Sequence, residues 1–304
     1  MPRPKLIDLL GPAETPQSSR RKWLSRLGWA SAAAALGLVP AAAYAHWIEP
    51  HWLDIVERDL PISKLPRHWQ GKRLAHVSDI HVGPRVSDDY SIKSFQRLAN
   101  LKPDVVVVTG DFVSHFKRGG ISADQVHAVY SHLPQGAAAT LGILGNHDYG
   151  PTWSDAKEAR KIAGLMTDHG VKILRNETVD VNGLEIIGLD ELWAGRCDAA
   201  AGLETSSPDA ARLVLCHNPD AADRDMWGGY QGWILAGHTH GGQCRSPFLP
   251  PFILPVANKR YTAGEIDLYD GRHLYISRGL GHSIALRFNV RPEITLFRLV
   301  AATD

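Results

Sequence analysis

The chain has 304 residues, 44% of them hydrophobic, which excludes a disordered protein and fits one large domain or two smaller ones at roughly 150 residues per domain. A formal net charge of +1 leaves no global field that would draw in nucleic acid or an anionic surface. Cys197, Cys216 and Cys244 show no C-x-x-C spacing, which argues against a thiolate zinc site, and their odd number excludes a complete disulfide framework.

Residues 1–17 are rich in Pro and small side chains and read as a flexible leader. Ser19-Arg20-Arg21-Lys22-Trp23-Leu24 then precedes an Ala-rich apolar run over 27–45 that ends small-x-small at Ala43-Tyr44-Ala45. Basic, apolar and small-residue segments in that order make a secretory pattern. The paired arginines are similar to the twin-arginine export motif, with Trp23 where Phe is commoner. The expectation is a twin-arginine-type signal or N-terminal anchor over 1–45, which places a folded chain in the periplasm or on the outer face of the cytoplasmic membrane. A bilayer span needs about twenty apolar residues, and this run is Ala-rich and carries Pro40. Cleavage after Ala45 and retention as an anchor both stay open.

Residues 46–71 read as a connecting segment. Trp47, Ile48, Trp52, Leu53, Ile55, Val56, Leu60 and Ile62 include several at helical spacing. That spacing predicts a short amphipathic element, packed as a strap across the domain rather than resting on a membrane surface.

From Lys72 the pattern alternates. Leu74–Ser78 reads as a strand, Asp88–Leu101 as a helix, and Val105–Thr109 as an apolar run of the kind buried in parallel sheets. Ser122–Leu133 is the next helix, Ala137–Leu144 the third strand, and Ser154–His169 a helix with Ser154 as its N-cap. This alternation predicts right-handed crossovers and a mostly parallel sheet. Short strands follow at 171–174, 179–181 and 184–189, with Asn182-Gly183 as a hairpin turn. Further strands are expected at 212–216, 233–236, 264–269, 273–277 and 294–300. With no internal repeat and no linker after residue 71, residues 72–304 form one catalytic domain.

Five of these strands end in polar residues of metal-ligand type: Asp79 and His81, Asp111, Asn146 and His147, His217, then His238 and His240. In open α/β sheets, ligands bind beyond the carboxyl ends of the strands. Oxygen and imidazole donors without thiolate suit Mn, Fe, Zn or Co as divalent ions, and this many donors exceeds the needs of one ion. Two ions about 3.5–4 Å apart clamp the attacking and leaving oxygens of an in-line displacement. Asp111 is the carboxylate placed to bridge them.

In order, Asp79-Ile80-His81, Gly110-Asp111, Gly145-Asn146-His147-Asp148, His217 and Gly237-His238-Thr239-His240 resemble the five motifs of the calcineurin-like metallophosphoesterases. The resemblance covers about Lys72 to Val300. The leader, the Gly237-to-Gln243 run and Ser277-Arg278-Gly279-Leu280-Gly281 are most similar to the exported, membrane-associated bacterial branch. That branch includes phosphodiesterases and a UDP-2,3-diacylglucosamine pyrophosphatase group. The resemblance implies an α/β fold of two mixed β-sheets packed as a sandwich and flanked by helices, in four αββα layers. It implies Asp79, His81, Asp111 and His240 around one metal and Asp111, Asn146, His217 and His238 around the other. Mn is the first choice, with Fe, Zn or Co as alternatives, and a hydroxide bridging the ions attacks phosphorus. His147 is implied as general acid to the leaving group or stabiliser of transition-state charge.

One position departs from the family pattern. Phosphatase members carry an Asp three residues after the second-motif Asp to orient the catalytic His, and here Ser114 stands there. Asp148 or a backbone carbonyl is the expected replacement. His76, His115, His127, His132, His169 and His273 are expected to be structural, and Arg85, Arg278 and His282 are candidate substrate contacts. The expected activity is hydrolysis of phosphodiester or phosphomonoester bonds outside the cytoplasm, with the protein associated with a membrane. One alternative is a lipid-linked pyrophosphate substrate such as UDP-2,3-diacylglucosamine. Another is a metal-stabilised, non-catalytic binding protein at the membrane. No nucleic acid partner is indicated.

Overall fold

The computed structural model describes residues 23–24, 39–115, 122–246, 248–251 and 253–302. The expected export signal therefore lies largely outside the described residues. The chain divides into two compact units, Met1–Tyr44 and Ala45–Asp304, and the second contains every strand. Its elements run β1 (Asp54–Ile62), β2 (Arg73–Val77), α1 (Asp88–Asn100), β3 (Val105–Thr109), α2 (Ala123–Tyr130), β4 (Ala139–Ile143), α3 (Ala156–Asp168) and β5 (Lys172–Ile173). They continue as β6 (Glu177–Val181), β7 (Leu184–Gly188), α4 (Ala199–Glu204), β8 (Ala211–Leu215), β9 (Gly232–Ala236), β10 (Gly264–Asp267), β11 (Arg272–Ile276) and β12 (Glu293–Ala301). Among the described residues no helix is long and apolar enough to cross a membrane.

The strands form two six-stranded sheets, ordered β1-β12-β2-β3-β4-β5 and β10-β11-β9-β8-β7-β6. Both are mixed: β2 to β5 are parallel, β12 runs antiparallel to β2, and antiparallel pairs β10/β11 and β6/β7 flank a parallel centre in the second. The alternation of side chains along β3 shows how the layers assemble. Val105 and Val107 meet Leu213, Leu215 and Leu235 of the second sheet, while Val106 and Val108 meet Phe95, Val129 and Ile162 of the helices. On the far side Ile187, Val214 and Ile234 pack beneath Ala199 of α4. Four layers result, as the family resemblance implied, and both faces of each sheet centre are dry.

Two local expectations are corrected. The amphipathic element expected among residues 46–70 is mainly strand β1, paired in parallel with β12 from Asp54↔Glu293 to Ile62↔Ala301. Leu60 and Ile62 point inward at a spacing of two, and Pro61 is tolerated because β1 is an edge strand. The apolar residues matched both periods over so short a stretch, and pairing with a distant strand decided between them. The cap of α3 is Asp155, not Ser154: its carboxylate accepts from Lys157 N at 2.8 Å and Glu158 N at 3.2 Å. Asn182-Gly183 does close the β6/β7 hairpin, with φ of 51° and 82° suiting the right-handed twist of the pair.

Candidate metal centre

Each polar strand end turns sharply. Asp79, His81, Asp111, His238 and His240 all have φ between 51° and 71°, a region that non-glycine residues seldom occupy and that concentrates at functional sites. These corners aim consecutive side chains past the sheet edge, and backbone bonds fasten them together. Asp79 N donates to Gly110 O at 3.0 Å, His81 N to Asp111 O at 3.0 Å, and Gly237 N to His217 O at 3.1 Å. Gly145 and Gly237 are required for the close approach: a Cβ would collide with the Asp111 carboxylate at the first and with Ser78 Oγ at the second.

The seven expected ligands converge. His81 Nε2 and His240 Nε2 are 3.0 Å apart, and Asp79 Oδ1 lies 3.4 Å from His240 Nε2. On the other side Asn146 Oδ1 is 3.1 Å from His217 Nε2 and 2.9 Å from His238 Nδ1. Between the two groups stands Asp111 Oδ2, 3.5 Å from His81 Nε2 and 3.4 Å from His217 Nε2. His147 joins the same space: its N–H donates to Asp111 Oδ1 at 2.8 Å, and its ring meets the His81 ring edge-on at 4.8 Å. Ligand atoms of Asp79/His81/His240, of Asp79/Asp111/His217 and of His81/Asp111/His147 each fall within 4.8 Å of one another.

Two rings are oriented from behind. His217 Nδ1–H donates to Thr109 O at 2.7 Å and His238 Nε2–H to Pro255 O at 2.9 Å, leaving the other nitrogen of each ring free toward the centre. The electrostatics match a cation site. Burial opposes charge on His217, yet Asp111, Asp79 and Glu191 lift it to about 10. Burial pushes Asp79 up to about 6, against the pull of His217. Burial likewise drives His81 and His240 well below the ordinary histidine range and His238 down to about 3. Imidazoles kept neutral by burial, with Nε2 atoms 3.0 Å apart beside two buried carboxylates, make a donor set that divalent cations would satisfy. The residues present therefore fit the metals that the motifs imply.

Asp148 does not orient His147. Its Oδ1 accepts from Val113 N at 3.2 Å and its Oδ2 from Gly145 N at 2.8 Å, so it clamps the two ligand loops instead. Among the described residues the His147 ring is held by packing, between His81 and Trp153, whose ring centroid is 6.0 Å away. Next in the chain, Tyr149 OH donates to Asp190, which also accepts from Arg175 Nε at 2.9 Å, pinning the end of this turn. Arg278 is committed to Glu293 and Asp54, and His282 Nε2 lies 3.0 Å from Arg85 O. Neither Arg278 nor His282, nor Arg85, lines the cavity beside the centre.

That cavity, about 410 Å³, is bounded by Asp111, Asn146, His147, His238 and His240 on one side and by Trp153, Trp193, Ile253 and Leu286 on the other. The two tryptophans, 5.0 Å apart, span the site, since Trp193 also stands edge-on to His238 at 4.4 Å. Sequence patterns gave no sign of them. Two further buried groups also went unread. Glu191, pushed up by burial to about 7, faces His217, with one oxygen lacking a partner among the described residues. Arg287, fully buried, donates to the carbonyls of Val290, Arg278, Gly279 and Gly281 and so shapes the 278–290 loop. That loop buttresses the first motif, Leu280 N donating to Ser78 O and Gly281 N to Asp79 O.

Two mixed sheets that meet at an oxygen- and imidazole-lined centre define a metal-dependent hydrolase. The profile of the calcineurin-like phosphoesterase family matches residues 72–242, and the chain belongs to that family. It is 33% identical to the uncharacterised metallophosphoesterase YkuE of Bacillus subtilis, over 92% of this chain and 97% of that one. Phosphodiesterase YaeI of Escherichia coli is 31% identical, over 93% and 99% of the two chains. UDP-2,3-diacylglucosamine pyrophosphatase LpxG of Chlamydia trachomatis is 27% identical, over 84% and 92%.

Proposed function

We propose that the chain hydrolyses phosphodiester bonds with two divalent cations, Mn first among them. Asp79, His81, Asp111 and His240 hold one, Asp111, Asn146, His217 and His238 the other. The observation that supports this most directly is Asp111 Oδ2, set between two imidazole groups at 3.5 and 3.4 Å. When bound, the cations polarise phosphoryl oxygens and lower the pKa of water. His147 borders the same cavity, and its imidazole is the proton donor that we assign to the leaving oxygen. Trp153 and Trp193 give that cavity an apolar wall beside the candidate metal ligands. The test is hydrolysis of bis-p-nitrophenyl phosphate with Mn added. A chain that binds two Mn and never turns over overturns the proposal in favour of a binding protein.

The apolar wall of the cavity also supports a second substrate, a lipid-linked pyrophosphate of the kind named for LpxG. Cleavage of such a pyrophosphate in preference to simple diesters decides for it. We place the activity outside the cytoplasm, on Arg20-Arg21 and the apolar run that follows. A reporter behind residues 1–50 that stays cytoplasmic, or that ignores Arg20→Lys with Arg21→Lys, refutes that placement.

A further inference from the structure

The large apolar side chains left in solvent are not scattered. Among the described residues from 45 onward, all but Tyr269 lie on segments that line the cavity at the candidate centre or, for residues 45–52, are bonded to one that does. Trp153 and Trp193 stand on one side, each 40% exposed. The other side is built from the described residues of 243–253, with Phe248 and Leu249, and residues 282–291, with Ile284 and Phe288; residues 45–52, with Trp47 and Trp52, form a third segment bonded to the last. Phe248 is 90% exposed.

These segments are stitched to one another. His46 Nδ1 lies 2.6 Å from Ala285 O, Arg287 N donates to Ala45 O at 2.8 Å, and Phe288 N donates to Gln243 O at 2.9 Å. Their charge is one-sided. Glu49 is the sole acid in the three segments, and it is buried against Asn289 N and Val290 N. Arg245 is exposed, whereas the Arg291 guanidinium, 4.4 Å over the Trp52 ring, is paired with Asp54 at 3.4 Å. Isolated surface leucines are ordinary, but an aromatic-rich rim at the mouth of a cavity, whose 243–253 and 282–291 stretches carry no acid in the sequence, marks an interaction surface.

We propose that this rim is a docking surface for an anionic lipid bilayer. Aromatic and aliphatic tips settle among the headgroups, while Arg245 meets lipid phosphates. The point at which the chain enters the second unit supports that occupant. The apolar run of 27–45 ends at Ala45, whose carbonyl takes the Arg287 N–H within the rim. A leader retained in a membrane would tether the protein at this face. Because the cavity opens inside the rim, the phosphate presented to it is that of a bilayer lipid, a consequence that also rests on the hydrolytic function proposed above.

The full-length chain is reconstituted into vesicles of phosphatidylethanolamine and phosphatidylglycerol, with p-benzoylphenylalanine at position 248, at 288 or, as the control, at 269. Lipid adducts are counted after irradiation. Adducts at 248 and 288 should exceed those at 269 by at least about fivefold. Equal yields at the three positions overturn the docking surface and leave only a tether. Separately, Phe248→Asp combined with Leu249→Asp should lower cleavage of a nitrophenyl phosphodiester lipid in vesicles about tenfold, with soluble bis-p-nitrophenyl phosphate unaffected. Loss of no more vesicle activity than soluble activity also counts against the surface. If the parent chain cleaves neither substrate, hydrolysis itself is refuted, while the adduct pattern still decides the surface.

Discussion

Asp111 Oδ2 stands 3.4 Å from His217 Nε2, a carboxylate beyond the end of β3 against an imidazole beyond the end of β8, so the two sheets share one electrostatic centre. Neither group is stable there alone. Burial works against charge on both, and each is held ionised by the other and by its neighbours. Cations bound between the two imidazole groups would take over the role of the His217 proton.

Asp111→Asn should therefore lower the Mn content from two per chain to fewer than one. Catalysis should fall by more than the roughly 10–100-fold that follows loss of a partner which merely supports a ligand. Metal analysis and diester hydrolysis on one preparation check both. Chelation of the parent chain should abolish turnover and lower its melting temperature, with both restored by Mn.

His147→Ala should lower kcat by about 10²–10⁴ with the metal content unchanged. A loss of metal instead would make His147 a ligand, which its place within 4.8 Å of His81 and Asp111 donor atoms allows.

Asp148→Ala strips the acceptor from two buried donors, Val113 N and Gly145 N. Leaving buried donors unpaired costs about 1–3 kcal/mol each, so urea unfolding should show a loss of about 2–6 kcal/mol. Asp148→Asn keeps one carbonyl oxygen in place and should lose less than Asp148→Ala.

His76 gives the pH dependence of the sandwich interior. Its ring lies between the sheets, Nε2 2.8 Å from Thr109 Oγ1, and burial pulls it down to about 3 from an ordinary 6.5. The folded chain keeps His76 neutral while the unfolded chain protonates it, so stability is fully present above pH 6.5 and is lost as the pH falls toward 3. The slope attributable to this ring approaches about 1.4 kcal/mol per pH unit. Comparing unfolding free energies of the parent and His76→Gln from pH 7 to 4.5 isolates it, because the other histidines contribute to both.

The catalytic half of the chain was legible because its physics is local. A run such as Val105–Thr109 has no partner-dependent alternative, and a polar residue just past it can only sit at a sheet edge. The seven candidate ligands, read from five such edges, are brought together in one place. The second sheet was harder to foresee, because strands of four or five residues carry too few positions to show which face meets which layer. β1 was misjudged for the reason that made Trp153 and Trp193 invisible: pairing with a strand some 240 positions later, or facing a cavity formed by three loops, leaves no periodic trace nearby. Ser114 posed a real question, and the answer lay in ring packing around His147, which sequence spacing does not encode.

β12 lies between β1 and β2, so the last of the described strands is inserted between the first two. Until residue 301 has left the ribosome, the first sheet has a gap at its second position, and Glu293 N cannot donate to Gly279 O to fix the loop behind Asp79. Nascent chains therefore carry an unfinished pocket until β12 has emerged and paired. Residues far outside the ligand motifs thus decide when the corner at Asp79 becomes rigid.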